Sequence, residues 1–532
     1  MMLIKRFKIL LLLVVVFACN SGKTIISDDW ATNVPNSNQV GAARLPETIK
    51  KIEAPFPMPQ LVKPSFPDFT VDISNHGAVS GTIVTNIIQE EIQEVHEHGG
   101  GTVLIPAGKW YTGRIILKSN VNLHLSDGAI LYFSGEIEDY RPAVFTRIEG
   151  IEVNSLGACI YANGAENIAV TGNGKLIGPA NGGSVRKQIL TTVVIDEYVP
   201  ASKPLSERIY EGYNGEPIFP PMFISPINCK NVLIEGISLE NTAFWNIVPV
   251  YCENVIIRGV TVNSVGIQRG DGIDVESSKN VLIEYCTLST GDDAFTIKAG
   301  RGEDGLRVHK PSENIVVRNC LAFEGHGGIT CGSETAGMIR NLYVTDCVFE
   351  NTRTAIRFKT RRPRGGGGEN LFYDNIRIVS AKYAFEWDML GSQQHVGALA
   401  GRNAVTTRNN LTPVYKNISA KNITIENAAQ FVKAIALPES PLNKVVLENI
   451  SAKADKLMEA NDVNSFTVSN AVLQTKSASI KLLGSKNILF EKVLFKNPAN
   501  VVTAEITDGN TGALQFVQCT PDVFQEIKNN KK

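Results

Sequence analysis

An asparagine followed by aliphatic, any residue, aliphatic recurs along this chain, at Asn167, Asn231, Asn254, Asn280, Asn314, Asn341, Asn370, Asn422 and Asn487. From Asn231 to Asn370 the successive steps are 23, 26, 34, 27 and 29 residues. Each step holds short β-branched runs such as VLIEGISLE and VIIRGVTVN, separated by Gly, Asn and Ser, and runs of that length and composition form strands. A period in the twenties without helical segments predicts a coiled β-solenoid, in which each turn buries its inner side chains on those of the next. An asparagine at one point per coil suits a corner where the backbone turns left-handed and side-chain amides stack on one another.

The cysteines keep the same register. Cys286, Cys320 and Cys347 each lie six positions after their repeat asparagine, and Cys229 and Cys252 each lie two before theirs. They are therefore expected as a buried ladder of free thiols, since rungs about 4.8 Å apart are at the short end of disulfide Cα separations. Ahead of the coils, residues 82 to 98 carry apolar side chains at helical spacing. This predicts a helix that caps the open end of the stack. The β-runs after residue 426 read as the last coils and a cap.

At 532 residues and 43% hydrophobic composition the chain supports a large core. Its net charge of -1 argues against nucleic acid as a partner, because phosphate binding needs a basic excess. The N-terminus sets Lys5, Arg6 and Lys8 before an apolar run of about ten residues that ends in VFAC at Cys19. This is the pattern of a lipoprotein-type export signal, with acylation expected at Cys19. The expected organisation is residues 1–19 as signal, 20–65 as a Pro-, Ser- and Asn-rich tether, and 66–525 as one solenoid domain. The chain is expected as a monomer, exported to the periplasm or outer membrane and touching membrane only through its lipid.

Four polar features fall in consecutive coils: Asp271 in RGDGID, Asp292-Asp293 in STGDDAFTIKAG, His326 in EGHGGITCGSE, and Arg357 with Lys359 in TAIRFKTRRPRG. Asp271 to Asp292 is 21 residues, about one coil, so these groups are expected in one column on one face. Strand alternation returns Lys359 to the side of Arg357. Three carboxylates, a histidine and two cations suit acid–base hydrolysis of a glycosidic bond in an anionic sugar. One carboxyl must hold a proton for the leaving oxygen while another deprotonates water, and crowding raises the pKa of at least one. Arg357 and Lys359 suit a substrate carboxylate.

In GDDAFTIKAG, GHGGITCGSE and RFKTRRPRGGGG, in that order and spacing, the chain resembles the family 28 glycoside hydrolases, the polygalacturonases and their relatives. The resemblance runs from about Val71 to about Ile425. It implies an all-β fold, a single-stranded right-handed parallel β-helix with a short N-terminal capping helix. It also implies hydrolysis of α-galacturonosyl linkages with inversion, without a metal or other cofactor. Carried over by position, Asp292 is the general acid, Asp271 and Asp293 activate water, His326 tunes the acid, and Arg357 and Lys359 bind the galacturonate carboxylate. The partner implied is a galacturonic-acid-containing glycan.

Two departures from the family pattern lie near this cleft. Arg269-Gly270 stands where the family has Asn-Thr, and Trp245-Asn246-Ile247-Val248-Pro249 replaces a Trp-x-x-His-Pro element. They argue against plain homogalacturonan as substrate and make Arg269 a candidate cation for a decorated or rhamnogalacturonan-type chain. An exo mode is expected from the insert at residues 181 to 222 and the Arg/Gly-rich loop after Lys359, which are placed to close one end of the cleft. Asp274 and Glu276 read as rim or turn residues, and Arg361, Arg362 and Arg364 as a solvated loop. The Arg269-Gly270-Asp271 tripeptide runs into a strand, so an adhesion role is set aside. The alternatives are a calcium-dependent β-helix lyase and a non-catalytic glycan-binding solenoid.

Overall fold

The computed structural model describes residues 26–187, 195–213, 218–404, 407–507, 514–522 and 524–528. Cys19 and the segment expected as an export signal lie outside them. The strands pair almost entirely in parallel and form a β-helix. One stack of rungs runs from Thr70–Asp72 through Gly101–Ile105, Val121–Leu125, Glu166–Gly172, Lys230–Glu235, Glu253–Arg258, Lys279–Glu284 and Ser312–Arg318. It continues through Ile339–Thr345, Gly367–Ile378 and Val414–Ile435. Parallel pairing then persists to Phe524–Lys528, so the C-terminal part prolongs the same stack. The core is a set of aliphatic columns; Val232, Val255, Val281, Ile315, Leu342 and Leu371 are all at most 2% exposed. Each such side chain contributes roughly 1.5–3 kcal/mol of burial.

The asparagine corner is a hydrogen-bonded ladder. Asn167, Asn231, Asn254, Asn280, Asn314, Asn341 and Asn370 all have φ between 53° and 58°. Each side-chain amide donates to the asparagine one coil earlier, as Asn231 does to Asn167 at 2.9 Å and Asn254 to Asn231 at 3.0 Å. The next rung is Asn417, which donates to Asn370 at 3.4 Å. Asn422, grouped with this corner on its motif, instead belongs to a second ladder, donating to Asp374 and accepting from Asn449. Its motif matches because both corners precede a strand. The cysteine ladder holds as expected: all eight described cysteines are free and seven are buried. The cap is the helix Thr85–Glu97, which turns Ile88, Ile92 and Val95 onto the first coils.

Residues 26–65 are not a free tether. They lie along the outside of the stack, and the reason is written in the repeat. Each Asn-aliphatic run carries three aliphatics in a row, so the middle one must face outward. Ala169, Leu233, Ile256, Leu282 and Val316 form that outward stripe, and Ile52 and Leu61 cover it. Three arginines pin the strap by its carbonyls: Arg258 to Pro46 at 2.6 Å, Arg318 to Lys50 and Lys51 at 2.9 Å, and Arg377 to Val34 at 2.7 Å. Composition suggested a tether because polar, Pro-rich segments seldom pack; covering the stripe is what orders this one.

Candidate active site

The site is built on a second stack, whose rungs are Ile273–Glu276, Phe295–Lys298, the end of Leu321–Cys331, Thr352–Lys359 and Ala381–Asp388. Ile273 pairs with Phe295, so Asp271, two positions earlier, stands over Asp293 rather than over Asp292. The Gly272 N–H to Asp293 carbonyl bond at 2.9 Å fixes this register. One oxygen from each of Asp271, Asp292 and Asp293 lies within 4.8 Å of the others. The three carboxyls expected in a column thus converge on one point, joined by His326, whose Nδ1 is 3.3 Å from Asp292 Oδ1.

Arg357 and Lys359 lie two rungs beyond Asp293, yet both reach it. Arg357 Nη1 is 2.9 Å from Oδ1 and Lys359 Nζ is 2.6 Å from Oδ2. The intervening rung carries Gly327 at the facing position, and a Cβ there would lie 2.5 Å from Asp293 Oδ1 and 2.0 Å from Thr330 Oγ1. The glycine after His326 therefore keeps open the space through which the two cations hold the carboxylate. Both partner Asp293 and keep a small exposed edge, 12% and 18% of their side chains.

Lys298 supplies the third cation. Its ammonium lies 2.7 Å from Asp274 Oδ1 and 3.2 Å from Asp271 Oδ2, and 3.4 Å from the centre of the Trp245 ring. Asp274 and Glu276, expected at the rim, are fully buried. Asp274 shares Lys298 with Asp271, and Glu276 faces the buried Arg147 at 3.7 Å. Sequence reasoning missed both because it took the wall of the solenoid as solvent-facing. Arg147 belongs to the antiparallel hairpin Val144–Ile148 and Ile151–Ser155, and it reaches Glu276 and the Ser277 hydroxyl from there. The alternation in GIDVES and FTIK did place Asp274 and Lys298 on the walls of adjacent coils, which was the available signal.

The electrostatics separate the three acids. Burial, reinforced by Asp274, Asp292 and Asp293, holds the Asp271 carboxyl well above the usual carboxylate range despite Lys298. Burial also pushes Asp274 up to about 6 against the same ammonium. Burial opposes ionisation of Asp293 too, but Lys359 and Arg357 outweigh it and keep that group anionic. For Asp292 burial is the largest influence, but the His326 hydrogen bond together with the charges of Lys359 and His326 leaves the carboxyl below its usual range; the same bond raises His326.

The cleft beside the trio holds a cavity of about 280 Å³ that Arg269, Arg301, Lys359, Arg361 and Arg364 enter. Arg269, in left-handed backbone at φ 57°, is held 3.2 Å from Glu149 Oε1, and Arg301 pairs with the other oxygen of Glu149 at 2.9 Å. Asp196, from the described part of the insert at 181 to 222, reaches Arg301 at 2.6 Å. Arg361 and Arg364 line this cavity, while Arg362 is buried against Glu439. The segment after Lys359 is therefore a packed wall rather than the solvated loop its composition suggested.

A family model described as glycosyl hydrolases family 28 matches residues 214–427. The chain is 25% identical over 397 residues to a probable polygalacturonase of Vitis vinifera, covering 71% of this chain and 73% of that protein. It is 24% identical over 452 residues to an exo-poly-alpha-D-galacturonosidase of Dickeya chrysanthemi, covering 79% and 73%. The crystal structure of an exopolygalacturonase from Thermotoga maritima superposes with a TM-score of 0.68 at 29% identity, covering 82% of this chain and 94% of that one. With the β-helix and the converging carboxylates, these similarities make the chain a polygalacturonase-like glycoside hydrolase whose residues 214–427 match the family 28 model.

Proposed function

We propose that the enzyme cleaves α-galacturonosyl linkages in pectic chains by general acid/base hydrolysis with inversion, acting from a chain end on a decorated or rhamnogalacturonan-type substrate. The observation that carries it is the convergence of three carboxyls within 4.8 Å on one point of the cleft, with His326 beside the accessible one. Asp292 is the acid because it alone of the three is accessible, with 26% of its side chain exposed and His326 beside it. Geometry ranks before resting proton affinity here: the raised His326, with Nδ1 3.3 Å from Asp292 Oδ1, holds a proton within reach of the carboxyl that faces the sugar. Asp271 takes the proton from water in its ionised form, which the Lys298 ammonium 3.2 Å from Oδ2 stabilises. Asp293, locked anionic by Arg357 and Lys359, is a poor proton acceptor and instead offsets positive charge developing on the sugar ring.

The carboxyl separation is shorter than the roughly 6.5–9.5 Å of inverting pairs, so inversion rests on the family resemblance. Proton NMR of the first-formed product decides it: a β-anomer is expected, and an α-anomer refutes it. The walled cavity of Arg301, Arg361 and Arg364 and the exo-acting relatives support action at a chain end. Release of monomer or dimer alone from a long oligomer is the expected product pattern. Loss of activity in Asp292→Asn with retained fold is the direct test of the acid assignment.

The trio's charge is matched by Lys298, Arg357 and Lys359. A calcium ion placed there would meet three cations, which favours the hydrolase over the lyase reading. The export signal supports a lipid-anchored location, tested by labelling with a radioactive fatty acid. Wild type should take up label and Cys19→Ala should not. No described helix is long and apolar enough to cross a membrane.

A further inference from the structure

The wall that carries Arg357 keeps one register from the active site toward the far end of the stack. Asp274 pairs with Thr296, Thr296 with Thr330 and Thr330 with Arg357. Beyond Arg357 the same position is taken in turn by Glu386, Lys433, Glu459, Lys481 and Glu505. Residues in register in a parallel sheet point the same way one strand spacing apart, so charge alternates in sign from rung to rung along this column. Arg357 and Glu386 are 12% and 4% exposed, whereas Lys433 and Lys481 are 30% and 61%. Solvent screens the outer pairs, and the inner link is the one dry enough to act on the active site.

Glu386 is that link. Its Oε2 accepts from the Thr354 hydroxyl at 2.8 Å, Lys433 lies 3.6 Å from Oε1, and Arg357 Nε lies 3.9 Å from Oε2. Lys433 is itself set over the Tyr383 ring at 4.9 Å. Arg357 crosses the open position at Gly327 and donates from Nη1 to Asp293 at 2.9 Å, while its Nε is buried without a hydrogen bond. A guanidinium tied through Nη1 pivots about that bond. An anion beside Nε supplies a second point that fixes its plane, at a distance where charge attracts without a hydrogen bond. Burial opposes the Arg357 charge, and Asp293 from the earlier coils and then Glu386 from the next coil outweigh it.

We infer that Glu386 is a positioning residue of the hydrolase, holding the Arg357 guanidinium in the plane that presents Nη1 to Asp293. Glu386 does not line the cavity beside the trio, and it acts through Arg357. Thr354 and Lys433 fix Glu386 in turn, so the alternation of charge beyond the site serves the site. The consequence falls on turnover. Asp293 offsets charge that develops on the sugar ring in the transition state, and a pivoting Arg357 weakens that effect without loosening ground-state binding. The inference rests on the hydrolase reading, while the geometry of Arg357 is testable without it.

Crystal structures of the wild type and of Glu386→Gln, an isosteric loss of one charge, test the geometry. Arg357 Nη1 is expected within hydrogen-bond reach of Asp293 in the first and beyond it in the second. Initial rates for wild type, Glu386→Gln, Arg357→Met and the double variant test the coupling. The substrate is an oligogalacturonate or an oligomer alternating galacturonate with rhamnose, whichever the wild type hydrolyses faster. Glu386→Gln should lower kcat about tenfold with KM within about twofold, and should add nothing in the Arg357→Met background. Lys433→Met, which leaves Glu386 to draw Arg357 away from Asp293, should lower kcat about threefold and fall silent in the same background; it carries the test if Glu386→Gln does not fold. An effect undiminished beside Arg357→Met, as lost packing would give, or an Arg357 unmoved in the crystal overturns the positioning role. A wild type that hydrolyses neither oligomer overturns the hydrolase reading, and the crystal comparison then decides the role of Glu386 by itself.

Discussion

Replacing Lys298 by Met removes the one ammonium that faces both Asp271 and Asp274, at 3.2 and 2.7 Å, in a place where all three groups are buried. Removing one partner of a buried ion pair costs about 3–5 kcal/mol, because the remaining charge keeps its desolvation penalty. Here two carboxyls lose the same partner, and they escape the penalty only by taking up protons. The sign follows from Asp274, whose carboxyl burial already pushes up to about 6 with the ammonium in place. An acid whose folded pKa is raised leaves the folded state holding more protons than the unfolded chain between about pH 4 and pH 6. Stability therefore falls as pH rises through that window. Without Lys298 both carboxyls rise further and the window extends upward. Guanidinium unfolding followed by tryptophan fluorescence should thus show a small deficit against wild type near pH 5 and one of about 3–5 kcal/mol near pH 8. An equal deficit at both values would refute the electrostatic account and leave only lost packing against Trp245.

Gly327→Ala should lower kcat by at least about 100-fold with the fold intact, because its methyl group would displace Asp293 from Arg357 and Lys359. Circular dichroism with steady-state kinetics checks both parts. His326, raised by its hydrogen bond to Asp292, should set the alkaline limb of the rate profile. Its contribution is complete below about pH 6.5 and lost as pH rises through the higher folded value, so His326→Gln should remove that limb and lower kcat by roughly 10–100-fold. Deleting residues 26–65 uncovers Ala169, Leu233, Ile256, Leu282 and Val316 and should lower the melting temperature markedly, at roughly 1.5–3 kcal/mol for each large side chain exposed. Activity at low temperature should survive, since no strap residue lines the cavity beside the carboxyls.

Much of this protein is legible along the chain because a solenoid is a one-dimensional fold. The Asn-aliphatic steps from Asn231 to Asn370 give the coil period, the corner and the cysteine ladder, since each depends only on contacts one period away. The same period brings Asp271, Asp292, Asp293 and His326 together, and strand alternation puts Lys359 on the side of Arg357. Residue types and spacing carry that much without any knowledge of what covers the coils.

Tertiary structure decided what spacing cannot express. Register to a single residue set Asp271 over Asp293, because pairing counts from Ile273 and Phe295 and not from the motif. Glu276 is buried against Arg147 of a hairpin more than a hundred residues earlier in the chain, Lys298 lies on the Trp245 ring, and the strap was ordered by an outward stripe assembled from five separate coils. Proton affinities were likewise invisible. Asp271, Asp292 and Asp293 are the same residue type, and only desolvation and the cations each one faces make the first proton-seeking and the last a fixed anion.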